Sequence, residues 1–213
     1  MTLAKRSLDL VGAAAGLLLL TPLLVLVALL IKAADGGPVF FRHERVGYRG
    51  RRFRMWKFRT MVPDAETRGL PLTVGQDARV TRPGAWLRRL KLDELPQLLN
   101  VLVGDMTLVG PRPEVPRYVG SYSADQRRVL ELVPGLTDEA SLRYADESRI
   151  LAAAADPQLV YVREIVPDKI RLNLAYAARA TVWTDVRVIL ATLLQLFWAR
   201  DGARHTATSA SSQ

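Results

Sequence analysis

Two neighbouring carboxylates, Asp93 and Glu94, stand in the segment KLDELPQLLN and are the residues of this sequence best suited to chemistry. Arg88 and Arg89 precede them along the chain, and Arg112 follows. Guanidinium groups match phosphate oxygens with paired hydrogen bonds, and an ionised carboxylate can serve as a nucleophile or as a Mg²⁺ ligand. The pattern is therefore compatible with a phosphoryl-transfer site.

The same pair also has an ordinary structural interpretation. Pro96 is tolerated in the first turn of a helix, so Asp93 is predicted as the N-cap and Glu94 as a first-turn residue, together worth about 1 kcal/mol. Neighbours on a helix point about 100° apart, so the pair cannot act as a facing acid and base. Nearby arginines are expected to lower the pKa of such a carboxyl and keep it ionised. The residues alone leave both interpretations open.

The composition restricts the chemistry further. The chain has no cysteine and only two histidines, His43 and His205, which argues against thiolate catalysis, cysteine-based zinc sites and a histidine metal cluster. A formal net charge of +9, from 30 Lys and Arg against 21 Asp and Glu, favours an anionic partner. Phosphorylated substrates, an anionic membrane surface and nucleic acid all meet this condition.

Residues 10–31 carry no charge and would extend roughly 33 Å as a helix, enough to cross a membrane. Pro22 predicts a bend or break at Thr21-Pro22. Lys5 and Arg6 before this run and Lys32 after it favour the cytoplasmic side for both ends. The charges thus favour a re-entrant helix–break–helix hairpin, although a kinked span stays open. The run is longer than a cleaved signal usually needs.

The chain after the apolar run predicts a small mixed domain. Residues 38–61 alternate apolar and cationic side chains around a Gly47-Tyr48-Arg49-Gly50 turn, which is typical of a β-hairpin, and residues 61–82 are predicted to be mostly loop. The spacing of leucines between positions 92 and 102 predicts a helix that ends at Gly104. The sequence VGPRP after it predicts a rigid, extended turn.

The C-terminal third is predicted to be helical. Ser123 is predicted as the N-cap of a helix that reaches Leu132, and two further helices are predicted over residues 165–198. The apolar segment 188–198 is too short to span a membrane and is expected to pack on the core or to lie in the interface. Residues 200–213 are predicted to be disordered.

The basic hairpin has two competing interpretations of its own. Its mixture of arginine with Phe53, Trp56 and Phe58 is compatible with a nucleic-acid surface. Beside an apolar membrane segment, the same composition suits anionic lipid headgroups at about 1 kcal/mol per cation, and proximity to Lys32 favours this second interpretation. A non-enzymatic membrane module that binds nucleic acid or anionic lipid is therefore the alternative function, and a single-pass scaffold with an inert domain is a third.

Several blocks together resemble one known family over about residues 5–194. They are Lys5-Arg6-x-x-Asp9 before an apolar run with a central proline, GPVFFRHERVGYRGRRFRMWKFRTM (37–61), DARVTRPGAWLRRLKLDELPQLLNVLVGDMTLVGPRPEVPRYV (77–119) and PGLT (134–137). Through these blocks the chain resembles the bacterial sugar transferases, which are the monotopic phosphoglycosyl transferases that act on polyprenyl phosphate. It resembles their minimal catalytic unit, without the extra transmembrane helices of larger members.

The resemblance implies a reaction and assigns roles to residues. Such enzymes transfer a sugar-1-phosphate from a UDP-sugar to polyprenyl (undecaprenyl) phosphate with Mg²⁺ and release UMP. It implies that Asp93 is the nucleophile, that Glu94 and Asp93 hold the metal, and that Pro111, Arg112 and Pro113 bind the nucleotide. Arg88, Arg89, Arg112 and Arg143 are the arginines expected to bind phosphate. The implied membrane segment is re-entrant, with its break at Thr21-Pro22 and with Lys5, Arg6 and Lys32 at the membrane surface.

The sequence departs from the family pattern in one place. After PGLT, Asp138 replaces a glycine and Ala145 stands where a phosphate-contacting arginine is expected, so Arg143 is the candidate to serve instead. The segment around residues 141–150 is expected to select the UDP-sugar.

The resulting expectation is an α+β, mainly helical protein. Residues 1–35 form the re-entrant hairpin, 36–199 a cytoplasmic catalytic domain with amphipathic interfacial helices, and 200–213 the tail. The expected location is the cytoplasmic face of the bacterial inner membrane, without nucleic acid as a partner. The sequence leaves the oligomeric state open, and a homodimer is one of the alternatives.

Overall fold

The computed structural model describes residues 2–65 and 77–209, with side chains up to residue 196. This part of the chain is mainly helical with small two-stranded sheets, which confirms the predicted α+β class. The helices are α1 (Leu3–Asp35), α2 (Arg82–Arg89), α3 (Leu98–Val103), α4 (Pro116–Val119), α5 (Ala124–Arg127), α6 (Glu139–Arg143), α7 (Glu147–Ala152), α8 (Pro157–Val160), α9 (Val166–Ala177) and α10 (Val182–Ser209). The strands are β1 (Phe40–Val46), β2 (Arg52–Phe58), β3 (Thr107–Val109) and β4 (Gly135–Thr137).

Helix α1 contains the apolar run and is helical throughout its length. It begins after Thr2, whose side chain accepts a hydrogen bond from the backbone of Lys5, and it ends at Gly36 in a left-handed conformation (φ 69°). In the described residues it is the one helix long and apolar enough to cross a membrane. The break predicted at Thr21-Pro22 is not confirmed, because the helix continues through Pro22, and the Thr21 hydroxyl donates to the Leu17 carbonyl at 2.7 Å.

Both ends of α1 are attached to the same body of the protein. At the N-terminal end, Lys5 Nζ lies 2.5 Å from Asp185 of α10, and Arg6 donates to the carbonyl of Val101 in α3 at 2.7 Å. At the C-terminal end, Asp35 accepts a 2.7 Å hydrogen bond from Arg59, which directly follows β2. The helix therefore lies along the domain instead of leaving it at one end.

Strands β1 and β2 form the predicted antiparallel hairpin. Arg49 at the turn has φ 54°, and Gly50 has φ 76°, a left-handed conformation that glycine adopts without steric cost. The register pairs Phe41 with Lys57, His43 with Met55 and Arg45 with Phe53. Directly opposed residues in an antiparallel pair point to the same side, so these six side chains form one face of the hairpin. We call it the inner face.

Helix α3 covers the other edge of β2 through one buried side chain. Asn100 accepts a hydrogen bond from the backbone of Trp56 at 2.9 Å and donates to the Arg54 carbonyl at 3.0 Å. The amide thus pairs with backbone groups that a third strand would otherwise bind, and it fixes the hairpin against α3. The predicted helix end is also confirmed, since Gly104 terminates α3 with φ 90°.

The segment before α3 differs from the prediction. Residues Leu92–Gln97 form a 3₁₀ turn whose N-cap is Lys91 (φ 55°), so the prediction that Asp93 is the N-cap was wrong. Pro96 has no N–H to donate to the carbonyl four residues earlier, which disfavours an α-helix here and favours the tighter turn. Asp93 and Glu94 consequently lie inside the turn, both in its first three residues.

Strands β3 and β4 form a short parallel pair that the sequence did not predict. The pair brings PGLT beside the VGPRP segment, with Gly135 N donating to the Pro111 carbonyl at 2.9 Å and Gly110 N donating to the Thr137 carbonyl at 3.0 Å. A Cβ added at Gly135 would lie 2.1 Å from the backbone nitrogen of Gly110. Only glycine permits this approach, which fixes the backbone that leads into Arg112.

The C-terminal third follows the prediction in its main helices. Ser123 caps α5 in a capping box with Gln126, and α9 and α10 are the two helices expected over residues 165–198. Val188 of α10 is buried in the core, whereas Leu194 is 60% exposed. Helix α10 continues to Ser209, and the predicted tail, residues 200–213, falls on the end of this helix and on residues beyond the described range.

Candidate active site

Glu94 is held by two cations that come from distant parts of the chain. Lys57 Nζ, on the inner face of β2, lies 2.8 Å from Glu94 Oε1. Arg112 donates from Nη1 to Oε2 at 3.0 Å and from Nη2 to Oε1, which makes a bidentate pair. Burial raises the pKa of Glu94, but the charges of Arg112 and Lys57 more than offset it and hold the pKa well below its usual value. Glu94 is therefore an ionised, fixed carboxylate, as predicted.

Asp93 is in a different environment from its neighbour. Its side chain is 6% exposed, and its Oδ1 atom has no hydrogen-bond partner among the described residues. Burial first, and then the negative charge of Glu94, raise the pKa of Asp93 above its usual value, so the expectation of a lowered pKa was wrong for this carboxyl. Asp93 thus differs from Glu94 both in the direction of its pKa shift and in its hydrogen bonding.

The cationic surroundings of Asp93 include Arg88 on α2. Arg88 Nε donates to the Thr60 hydroxyl at 2.8 Å, and the charges of Lys57, Arg88 and Lys91 all oppose the rise in the pKa of Asp93. Helix α2 can approach Thr60 closely because Gly84 has no side chain. A Cβ at this position would lie 2.1 Å from the Thr60 carbonyl oxygen. The approach places the last turn of α2 beside the carboxylates.

His43 and Arg45 continue this surface along β1. Arg45 Nη2 lies 3.2 Å from His43 Nδ1, and because a guanidinium can only donate, Nδ1 accepts and the neutral ring carries its proton on Nε2. Burial, together with the charges of Arg45 and Lys57, lowers the pKa of His43 to about 4. The ring is therefore neutral at pH 7 and lines the same cleft as the two carboxylates.

These side chains line one open cleft of about 1080 Å³. Its polar lining includes His43, Arg45, Lys57, Arg88, Arg89, Asp93 and Glu94, and its apolar lining includes Pro38, Phe40, Phe41 and Phe58. A smaller cavity of about 270 Å³ adjoins it at Arg45 and Ser148 and is lined by the Pro111–Val115 segment, Asp138 and Asn173. The structure brings Arg88, Arg89, Asp93 and Glu94 into this cleft, and Arg112 joins them through its ion pair with Glu94.

Arg143 is placed elsewhere. Its side chain is 61% exposed and lies 3.9 Å from Asp168 of α9, and it lines neither of the two cavities described above. Its role as a phosphate-binding residue stays a prediction that its position does not support.

Lys5, Arg6 and Lys32, which are predicted to lie at the membrane surface, each bind an oxygen atom of this chain. Lys5 and Arg6 bind α10 and α3 as described above, and Lys32 Nζ donates to the Gly36 carbonyl at 2.6 Å. Each cation therefore has a carboxylate or carbonyl partner in this chain, and its location at the membrane surface stays a prediction.

Sequence reasoning missed Lys57, His43 and Arg45 as residues of the site. A signal for Lys57 was present, because period-2 alternation puts it on the same face as Phe53 and Met55, both buried. A lysine that continues the apolar face of a strand needs an anionic partner, and that partner is Glu94.

The carboxylates of the cleft are the side chains that could hold Mg²⁺. In the described residues no group of three or more His, Asp or Glu side chains comes together. Mg²⁺ commonly binds proteins through one or two carboxylates and takes its other ligands from water and substrate phosphates. The unpaired, buried Oδ1 of Asp93 next to the Glu94 carboxylate fits such a site.

A family model described as bacterial sugar transferase matches residues 1–199. The chain belongs to the bacterial sugar transferase family. It is similar to an undecaprenyl-phosphate glucose phosphotransferase of Komagataeibacter xylinus, with 37% identity over 206 residues that cover 93% of this chain and 37% of the relative.

Two other relatives have a similar sequence identity to this chain. A UDP-glucose:undecaprenyl-phosphate glucose-1-phosphate transferase of Caulobacter vibrioides is 38% identical over 91% of this chain and 70% of its own length. The exopolysaccharide production protein ExoY of Rhizobium meliloti is 43% identical over 63% of this chain and 66% of its own. The chain spans about two fifths of the length of several larger sugar transferases that it matches.

Proposed function

We propose that this protein transfers a sugar-1-phosphate from a UDP-sugar to polyprenyl (undecaprenyl) phosphate and releases UMP, as a first membrane step of surface glycan assembly. The observation that carries the proposal is the pair of unlike carboxylates in the cleft. Glu94 is neutralised by Lys57 and Arg112, while Asp93 Oδ1 is buried and unengaged. Family membership and the activities for which the relatives are named support the same reaction class.

In the proposed reaction, an Asp93 oxygen attacks the β-phosphorus of the donor and forms an acyl phosphate that carries the sugar. The bond between this phosphorus and the bridging oxygen breaks, and the electron pair leaves with UMP. A phosphate oxygen of the acceptor then attacks the same phosphorus, and the Asp93 carboxylate leaves. Splitting the transfer in this way lets one cleft use the two phosphate substrates in turn.

The cations of the cleft would neutralise charge during both steps. Arg88, Arg89, Lys57 and Arg45 line the cleft, and cations positioned around a transferred phosphoryl group are the main source of catalysis in such reactions. Asp93 and Glu94 are the residues that would hold Mg²⁺, which supplies further neutralisation of the diphosphate when bound. Arg112 would position Glu94, and the Pro111–Pro113 segment would contact the nucleotide.

We further propose that the protein is monotopic, on the cytoplasmic face of the bacterial inner membrane. A helix that crossed the membrane would place its ends on opposite sides, whereas Lys5 and Asp35 at the two ends of α1 both bind the same domain. Its middle is apolar and open, with Leu18 76% and Leu19 78% exposed. Exposed Trp183 and Leu190 of α10 would lie in the same interface. A bend at Thr21-Pro22 is part of this proposal.

The proposal is tested by UMP release with a panel of UDP-sugars and undecaprenyl phosphate. Asp93→Asn should abolish UMP release while the protein stays folded and in the membrane fraction, and EDTA should stop the wild-type reaction until Mg²⁺ is restored. Substantial turnover by Asp93→Asn would contradict its role as nucleophile, and metal-independent turnover would contradict the role of Mg²⁺. The non-enzymatic alternative, binding of nucleic acid or anionic lipid by the hairpin, has no support from the comparisons and is not retained.

A further inference from the structure

The inner face of β1 changes from cationic to apolar along its length. Arg45, His43 and Phe41 occupy alternate positions on it, with Arg45 Nη2 3.2 Å from His43 Nδ1 and the His43 and Phe41 rings 5.7 Å apart. Phe41 is also the direct cross-strand partner of Lys57, which binds Glu94. The apolar end of this face therefore adjoins the carboxylates.

An apolar surface continues from this end of the cleft to α1. Phe40 stacks on Phe58 with ring centroids 5.3 Å apart, and Phe58, which is buried, packs against Val27 and Ile31 of α1. Phe40 and Phe41 themselves stay 44% and 36% exposed and line the cleft. A continuous apolar path thus connects the reacting carboxylates with the helix proposed to enter the membrane.

We propose that this path is the acceptor subsite, in which the phosphate-proximal part of a polyprenyl chain lies over Phe40 and Phe41. The phosphate lies at the cationic end, near Arg45 and Lys57, and the chain leaves towards α1. The inference rests on the proposed function and specifies its acceptor site.

Two observations favour a prenyl chain as the occupant. A polyprenyl phosphate joins an anion to a long hydrocarbon, and the gradient from Arg45 and Lys57 to Phe41 and Phe40 has the same order. The apolar end is also continuous with α1, the one helix among the described residues that is long and apolar enough to cross a membrane. A UDP-sugar has no hydrocarbon segment and needs hydrogen-bonding partners for its hydroxyls, which ring carbons do not supply.

The kinetic test uses the full-length protein in detergent or nanodiscs with two acceptors, undecaprenyl phosphate and geranyl phosphate. Truncation in Phe41→Ala should raise the KM for the long acceptor roughly tenfold, which corresponds to the loss of one buried aromatic contact. The KM for the short acceptor should rise much less. Single-turnover UMP release from the donor alone should be unchanged, because that step needs no acceptor.

Matched variants separate the proposal from a general defect. The control is Tyr48, an aromatic residue of similar exposure (41%) at the turn of the same hairpin. Tyr48→Ala should change the KM for neither acceptor. Phe41→Leu, which keeps an apolar side chain, should retain the preference for the long acceptor if Phe41→Ala does not fold. An equal effect of Phe41→Ala on both acceptors, or an effect on the donor KM alone, would overturn the proposal, and the latter would assign the ring to the sugar.

A binding test keeps this proposal distinct from the reaction itself. A polyprenyl phosphate with a photoreactive group on an isoprene unit near the phosphate should label the peptide that contains Phe40 and Phe41 in the Asp93→Asn protein. Labelling there without any UMP release by wild type would leave the subsite intact and refute the proposed reaction. Labelling confined to α10 would refute the subsite.

Discussion

Arg112 and Glu94 form a bidentate ion pair that joins the Pro111–Pro113 segment to the turn that carries Asp93. The two residues are 18 positions apart in the chain, and the pair forms because the short parallel contact between β3 and β4 fixes the backbone before Arg112. The pair keeps Glu94 charged and leaves the neighbouring carboxylate as the one available for substrate.

Replacing Arg112 with lysine should therefore impair catalysis although the charge is kept. An ammonium group cannot make two parallel hydrogen bonds to one carboxylate, and the loss of one charged hydrogen bond corresponds to roughly a 10- to 100-fold decrease in kcat. UMP release in Arg112→Lys measures the effect. The control is Arg51→Lys on the exposed hairpin turn, which should behave as wild type, and equal activities of the two variants would argue against a positioning role for Arg112.

Adding a methyl group at Gly135 should destabilise the protein. The Cβ would lie 2.1 Å from Gly110 N, so the β3–β4 pair must separate, at a cost of roughly 3 kcal/mol, the upper end of the usual overpacking penalty. Gly120→Ala is the matched control, because its nearest neighbour would be 3.4 Å away and its φ is −58°. Thermal unfolding of both variants decides the point, and similar midpoints would contradict the close approach.

Removing the carboxylate of Asp9 should loosen the N-terminal end of α1. Asp9 is buried and accepts hydrogen bonds from the Thr107 hydroxyl at 2.8 Å and from Leu108 N at 2.9 Å. Asp9→Ala leaves these buried donors unpaired, so the free energy of unfolding should fall by about 1–3 kcal/mol. Asp125→Ala on the exposed surface of α5 should change it by less than about 0.5 kcal/mol. Denaturant unfolding in detergent measures the effect. Equal unfolding midpoints for Asp9→Ala and wild type would contradict the prediction.

His43 should make the fold sensitive to mild acid. Its pKa is about 4 in the folded protein against an ordinary value of 6.5. As the pH falls from about 6.5 towards 4, the unfolded chain takes up a proton at this residue that the folded chain does not, so stability decreases over this range. His43→Gln removes this contribution, and its unfolding midpoint should fall less than that of wild type between pH 7 and pH 4.5. Parallel curves for the two proteins would contradict the depressed pKa.

The sequence alone determined the features that depend on local pattern. The uncharged run of residues 10–31 forms α1, the alternation around the Gly47–Gly50 turn forms the hairpin, and Ser123 caps its helix. These features follow from hydrophobic period, turn chemistry and capping, which act between residues a few positions apart. The grouping of Asp93 and Glu94 with arginines was also readable, through their spacing and the family resemblance.

Tertiary structure decided how the two carboxylates differ. Lys57 reaches Glu94 from 37 positions away, and burial raises the pKa of Asp93 beside it, so local sequence could not show which carboxylate is neutralised. The attachment of Lys5 and Asp35 to one body likewise depends on how α1 packs against α10 and β2. Desolvation and long-range ion pairs exist only once the chain has folded, and these interactions set the charge of each group in the cleft.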